Sequence, residues 1–298
     1  NPQQVLHAIR EQDAQESHGK LKIFFGYAPG AGKTHAMLKA AREAKQQGID
    51  VVIGTVRMGA GSQIQGLLYG LERLPNRTPV MNSDASYELD IDAALFRAPQ
   101  LLIVDELAYA NAKGGRHAKR YQDVEELLDA GIDVYTTVNV QHIESLNDMV
   151  ASVIGRKEQE RIPDTVFDGA YQVEFIDIEP QELIERFHEE KGEFGRQSEA
   201  GLYTDEKLNA LRAIALQRCA DRLNLLSQNA RDRERGSLHT EEHVLVCLTP
   251  EPVNEKLIRA AARISNAVHG VFTALFVETP DFSSMSAEDK NRLHENIR

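Results

Sequence analysis

Leu21-Lys22-Ile23-Phe24-Phe25-Gly26-Tyr27-Ala28-Pro29-Gly30-Ala31-Gly32-Lys33-Thr34 decides the fold. An apolar run of strand type feeds a glycine-rich turn, and the turn ends in Gly-Lys-Thr where a helix opens, predicted over Thr34 to Gln47. Gly30 and Gly32 have no side chains, so the backbone from Pro29 through Ala31 to Thr34 can approach phosphate oxygens and aim successive N–H groups at them. The new helix presents the positive end of its dipole to the same anion. Lys33 supplies a point charge for outer phosphates, and the Thr34 hydroxyl suits a magnesium ion. The competing reading is an ordinary turn that holds two glycines and a lysine, and it leaves the strand–turn–helix context unexplained. One position departs from the full pattern. A small residue is wanted where Tyr27 stands, and the glycine lies one residue earlier, at Gly26. A side chain of that size is expected to alter the turn or to cover a nucleotide.

Outward from this stretch, strand and helix signals alternate. Asp50 to Thr55 reads as a buried strand. A helix is predicted from Ser62 to about Leu74, stopped by Pro75, and a short helix from Asp90 to Arg97. Leu101-Leu102-Ile103-Val104-Asp105-Glu106 is four apolar residues followed by two acids, which describes a central parallel strand with charge at its carboxyl end. Ligands of open parallel sheets sit at that edge. There Asp105 can hold magnesium, directly or through water, and Glu106 can orient or deprotonate an attacking water. A strand that merely ends in a polar turn is the alternative, and the phosphate-loop stretch upstream weighs against it.

Residues 111–120 form a basic, glycine-containing loop with Lys113, Arg116, His117, Lys119 and Arg120 at the start of a helix predicted over Tyr121–Ala130. Cations are unfavourable at a helix N-terminus, so either an anion binds there, with Arg116 as a candidate ligand, or the loop is a solvated charged turn. Asp133 to Thr137 reads as a strand running into Val138-Asn139. Asn139 lies beside the acidic strand, as a sensor of phosphate or water or as a turn asparagine. A helix over Ile143–Ile154 and a strand over Gln172–Ile178 complete the pattern.

The alternation from 20 to about 178 predicts a doubly wound α/β domain with a parallel sheet. A polar lead-in, 1–19, precedes it. An acidic amphipathic helix over Pro180–Lys191 and a long helix over Asp205–Asn229 form a connector, 179–236, that closes in a charged linker from Arg231 to Gly236. A second α/β pattern opens at 237–298, with a strand at His243–Thr249, a helix at Asn254–His269 and a strand at Val271–Val277. One βαβ unit cannot cover both faces of its sheet, so Val244, Leu245, Val246, Phe272, Leu275 and Phe276 are expected to keep exposed apolar surface, or the unit to dock on the long helix or a second chain.

Composition bounds the function. A net charge of −12 over 298 residues argues against non-specific binding to nucleic acid or an anionic bilayer. The two cysteines, Cys219 and Cys247, lie in apolar contexts on different segments, which fits a reducing, cytoplasmic compartment. No apolar run reaches the roughly 18 residues of a membrane span. The ten histidines and two cysteines show no metal-ligand spacing.

With these residues in view the chain resembles the cytoplasmic N-terminal region of the Kdp-type sensor histidine kinases, potassium and osmotic sensors of bacteria. The resemblance rests on Lys20 to Gly26 with Ala28 to Thr34, on Asp105-Glu106-Leu107-Ala108, and on Arg116-His117 with Lys119-Arg120. It continues through Gln122 to Leu128, Ala130 to His142, Glu144 to Asp148, Ala220-Asp221-Arg222 and the helix from Lys256 to Arg263. It implies a P-loop NTPase-like ATP- and magnesium-binding regulatory domain at 20–178, and a partial universal-stress-protein-like α/β domain at 237–298. The implied partners are ATP, the remainder of the sensor kinase and its response regulator. No nucleic acid is implied, and a homodimer is left open. The parent protein would sit in the bacterial inner membrane with this region on the cytoplasmic side. Two departures fall at the nucleotide site. Tyr27 replaces a small residue, and Arg57-Met58-Gly59-Ala60-Gly61 stands where the family usually has Glu-Thr-His-Gly-Arg. ATP binding is therefore expected, with slow or absent hydrolysis. The competing readings are an active ATPase, and a binding module that takes another nucleotide or a protein through the C-terminal segment.

Overall fold

The computed structural model describes residues 18–57, 62–75, 88–112, 114–189, 203–235, 243–248, 254–267, 271–276, 286 and 290. Residues 1–17 of the polar lead-in, residues 58–61, Lys113, the glycine-bearing connector after 189 and most of the polar C-terminal stretch lie outside the described residues.

In chain order the first part contains β1 (Leu21–Gly26), α1 (Lys33–Gln46), β2 (Val51–Thr55), α2 (Ser62–Leu68), β3 (Glu72–Arg73), α3 (Ile91–Arg97), β4 (Leu101–Val104), α4 (Arg120–Asp129) and β5 (Asp133–Asn139). Then come two 3₁₀ turns, α5 (Asn147–Ile154), α6 (Asp164–Asp168), β6 (Gln172–Phe175), α7 (Pro180–Glu189) and α8 (Asp205–Arg235). The six strands make one parallel sheet in the order β3-β2-β4-β5-β1-β6. β5 is therefore inserted between the strand that enters the glycine-rich turn and the strand that ends in Asp105-Glu106. All three carboxyl ends open on one edge of the sheet.

The alternation within β1 assigns the two layers. Ile23 and Phe25 pack with Val52, Leu102, Val104 and Val134 on one face. Phe24 packs on the other with Met37, Leu38 and Ala41 of α1 and with Ile53 and Ile103. Both faces are covered, which is why the central strands are apolar throughout. Asp90 caps α3 by accepting from the Ala93 N–H at 2.9 Å.

Several elements differ from the sequence expectation: the strand from Gln172 ends at Phe175, the helix expected from Ile143 begins at Asn147 after two 3₁₀ turns, and α6 has no counterpart in it. The helix from Ser62 stops at Leu68, because Gly70 turns the chain at φ +80° and 72–73 pair with β2 as an edge strand. The charged segment after Asn229 is not a linker: α8 continues as helix to Arg235. Alternating Arg, Asp and Glu are competent helix residues and give no stop signal. α8 lays Leu208, Leu211 and Ala215 into the core, while Leu223 and Leu226 stay exposed. Its buried Arg218 pairs with Asp168 at 2.6 Å, and Arg222 donates to the carbonyls of Phe167 and Ala170.

The second unit pairs β7 (His243–Leu248) in parallel with β8 (Val271–Phe276), joined through α9 (Asn254–Ala267). Leu245 and Leu275 are exposed, and Val244, Val246, Phe272 and Phe276 are half-buried, as one uncovered sheet face requires. The seat of this unit is the 3₁₀ turn before α5 together with the first turn of α5. Arg259 pairs with Asp148 at 2.8 Å, and Arg263 donates to the Ser145 carbonyl at 2.9 Å. A two-stranded sheet held this way should open more readily than the central sheet. Hydrogen exchange should find the amides of 244–248 and 271–276 exchanging much faster than those of 101–104 in dilute monomer. Equal protection would show that the unit is self-sufficient.

Candidate functional site

The turn after β1 is shaped by its two glycines. Gly30 and Gly32 adopt φ +77° and +87°, a region closed to most L-residues, and Gly32 stands as the N-cap of α1. The N–H groups of Lys33, Thr34 and His35 have no acceptor among the described residues, as the first turn of a helix requires. Pro29 and Ala31 complete the bend, with Ala31 buried and Pro29 half-buried. Gly26 does what the sequence pattern asks of its neighbour. A Cβ there would lie 3.0 Å from Lys33 Cδ and 3.2 Å from its Cγ, so the missing side chain lets the lysine stem lie along the end of β1.

Tyr27 neither opens the turn nor covers its concave side. It is fully buried, and its hydroxyl donates to the Ile178 carbonyl at 2.7 Å. Burial, outweighing the opposing field of Arg212, pushes its phenol up to about 12. The expectation of a shielding aromatic is overturned because the ring finds core volume under the turn and a backbone acceptor for its one polar atom.

Lys33 is buried, with Nζ donating to the Ala28 carbonyl at 2.9 Å. Desolvation pulls its ammonium down to about 8, against the attraction of Asp105 and Glu106. Thr34 Oγ1 lies 3.2 Å from Asp105 Oδ2. Asp105 is buried, and Oδ1 accepts from the Thr137 hydroxyl at 2.6 Å while Oδ2 accepts from the Arg57 N–H at 3.2 Å. Burial, aided by the neighbouring Glu106, pushes its carboxyl above the usual range, and the Thr137 hydrogen bond and Arg57 N–H oppose that.

Glu106 sits in the left-handed region at φ +55°, an uncommon conformation for a residue with a side chain. Its N–H is held by Thr137 Oγ1 at 3.0 Å. Its carboxylate faces the guanidinium of Arg57 at 3.0 Å, with both side chains partly exposed. Asn139 ends β5 opposite Gly26 in register, and its Oδ1 is buried with no hydrogen-bond partner among the described residues. Lys33, Thr34, Asp105, Glu106 and Asn139 thus come to one edge.

Arg116 takes other partners: its guanidinium pairs with Glu126 at 2.7 Å and Asp92 at 3.2 Å. His117 of the same loop faces Asp123 at 2.8 Å. The arginine of this loop that reaches the acid pair is Arg120. It is fully buried, donates to the Asp105 carbonyl at 2.7 Å and lies over the Tyr109 ring at 4.2 Å. From the sequence, Arg57 and Arg120 stand out only as members of longer runs and Thr137 only as a strand residue, and none of the three is assigned a role at the site. Thr137 carries a usable signal, because its strand neighbours β4 and Thr136 pairs with Val104, which places Thr137 level with Asp105.

Among the described residues no helix is long and apolar enough to cross a membrane. The model of the osmosensitive K+ channel His kinase sensor domain matches residues 17–223. The sensor protein KdpD of Clostridium acetobutylicum is 44% identical over 303 residues, which cover 100% of this chain and 33% of that protein. The sensor protein KdpD of Escherichia coli K12 is 43% identical over 91% of this chain and 31% of its own length. A KdpD-type protein of Synechocystis is 41% identical over 87% of this chain and 70% of its own. The chain thus spans about a third of the first two relatives. A family match across the whole α/β unit, with the relatives' identity carried through both ends of it, means that this chain belongs to the family of osmosensitive K+ channel histidine-kinase sensor domains.

Proposed function

We propose that residues 20–178 are a P-loop NTPase-type module that binds magnesium–ATP, within the cytoplasmic sensory region of a histidine kinase that responds to potassium limitation or osmotic stress. The convergence of Lys33 Nζ, Thr34 Oγ1 and the Asp105 carboxylate on one turn of orphaned N–H groups carries the reading. The N–H groups of 31–34 and Lys33 would hold the phosphates. Thr34 and Asp105 would hold magnesium. Two protein oxygens suit that ion, which keeps waters and takes its other ligands from phosphate; bound there, it would neutralise phosphate charge. The orphaned Asn139 Oδ1 fits a sensor of bound water at the same edge. The remaining kinase and its response regulator are the partners this reading implies, and residues 237–298 fit the opening of a universal-stress-protein-like domain. Calorimetric titration of the chain with magnesium–ATP should give saturable binding at one site. Absence of heat and of thermal stabilisation at millimolar nucleotide would remove the reading.

Hydrolysis is expected to be slow because Glu106, the residue placed to act on water, faces Arg57 in a partly exposed pair. Glu106→Gln should retain ATP and abolish turnover, whereas Arg57→Ala should raise turnover several-fold by freeing the carboxylate. Turnover unchanged in both variants would remove Glu106 from the chemistry.

Affinity should fall as pH rises through about 8, where Lys33 loses its proton. The loss should approach about tenfold per pH unit above that point if the charged form alone binds. Stability from this group runs the other way. Its folded pKa lies below the unfolded 10.5, so the unfolded chain binds more protons between about 8 and 10.5, and this contribution to stability rises with pH across that window. Titrations at pH 8.5 in buffers of different ionisation enthalpy should report proton uptake on binding, and none would contradict the assignment.

A further inference from the structure

α7 lies on the glycine-rich turn. A Cβ on Gly30 would meet Phe187 Cε1 at 3.1 Å and Leu183 Cδ1 at 3.3 Å, so the helix packs against the bend where a side chain would otherwise stand. Leu183 is fully buried. Leu183, Arg186 and Phe187 fall on one helical stripe, spaced i, i+3 and i+4. Beside that contact, Arg186 Nη1 lies 3.8 Å from the Cβ position of Gly32, the residue that immediately precedes Lys33.

The helix is fixed at both ends. Tyr27 holds the Ile178 carbonyl just before it. Arg212 of α8 makes paired hydrogen bonds to Asp177 and to Glu179 at 2.6 to 3.0 Å. Phe187 stacks on Tyr203 with ring centroids 5.7 Å apart. The position of Arg186 beside the turn therefore follows from the core and not from its own side chain. Its guanidinium pairs with Glu182 one turn earlier, at 2.6 Å, and both side chains are about half exposed. Such a solvated i,i+4 pair is weak and exchangeable, and a phosphate oxygen is a stronger, two-toothed acceptor for a guanidinium.

We propose that Arg186 is a second phosphate cation of the nucleotide site, supplied by the same chain from α7, and that nucleotide binding exchanges its Glu182 partner for the outer phosphates. The proposal rests on the nucleotide reading above and adds a residue that lies far from both motifs in sequence. Lys33 would act from inside the turn and Arg186 from its outer flank. Because α7 is tied to α8 through Arg212, the exchange would also report phosphate occupancy to the long helix.

The test is titration of the full chain with magnesium–ATP and magnesium–ADP, in wild type, Arg186→Ala, Arg186→Lys, Glu182→Gln and Lys33→Ala. Arg186→Ala should weaken ATP about tenfold and ADP by no more than about threefold, the scale of a lost charge-assisted hydrogen bond. Arg186→Lys should recover part of the loss, because a point charge replaces a fork. Glu182→Gln should bind ATP as well as wild type or more tightly, since it removes a competitor. The unfolding temperature of Arg186→Ala should stay at the wild-type value, as for an exposed pair. If Arg186→Ala binds both nucleotides like wild type, or loses both equally, while Lys33→Ala loses both, the proposal falls and the site stands. If wild type binds neither nucleotide, the site itself falls and Arg186 with it.

Discussion

Lys33→Ala is expected to lose magnesium–ATP binding by on the order of 2 kcal/mol or more, a factor of about thirty. The lysine stem is buried along Gly26 and its ammonium already lies inside the turn on the Ala28 carbonyl. No other cation occupies that interior position among the described residues. The folded state tolerates its loss well, and this separates the effect from unfolding. Burial, only partly offset by Asp105 and Glu106, holds the ammonium near pKa 8, so at neutral pH the charged form is carried at a cost that alanine removes, leaving one unpaired carbonyl and a short gap. The variant should therefore be at least as resistant to heat as wild type without nucleotide, and should fail to gain stability when nucleotide is added. Isothermal titration and thermal shift measured on the same preparation check both halves. Retained affinity would mean that the turn does not bind phosphate.

How far the site was legible in sequence follows from where each contact originates. The turn, its helix and the acid pair are local: glycine conformation, an apolar strand and two acids after it are written within consecutive residues. The neighbourhood of Asn139 was legible too, because alternating strands and helices constrain parallel order. What could not be read is what arrives from elsewhere. Tyr27 looked obstructive because its acceptor, the Ile178 carbonyl, lies 151 residues away. Arg116 and Arg120 have similar surroundings in sequence, and only tertiary packing decides that Arg116 meets Glu126 and Asp92 while Arg120 turns under the acid pair. The edge strand at 72–73 has two residues and no alternation to detect. The arrival of α7 on Gly30 depends on the path of a connector whose composition is merely polar and acidic.

Arg120→Ala should have the largest effect on stability, about 3 to 5 kcal/mol. The side chain is fully buried and is the largest of the fully buried groups. Removing it opens a cavity beneath Tyr109 and strips the Asp105 carbonyl of its donor at 2.7 Å. An orphaned buried carbonyl costs about 1 to 3 kcal/mol by itself, and the cavity adds the loss of packing on the aromatic face. The damage also reaches the chemistry. Arg120 holds the backbone at the bend that puts Glu106 at φ +55°, and its charge is one of the influences that keep the Asp105 carboxyl from rising further. Without it, Asp105 should protonate at higher pH than in wild type. Arg120→Lys restores charge but neither the planar stacking on Tyr109 nor the fork, so it should recover less than half of the stability. Urea unfolding of the two variants, with the Asp105 titration followed by carboxyl NMR, tests both effects. A loss below about 1 kcal/mol in Arg120→Ala would show that the region repacks, and an unmoved Asp105 would show that the Arg120 charge does not help set its titration.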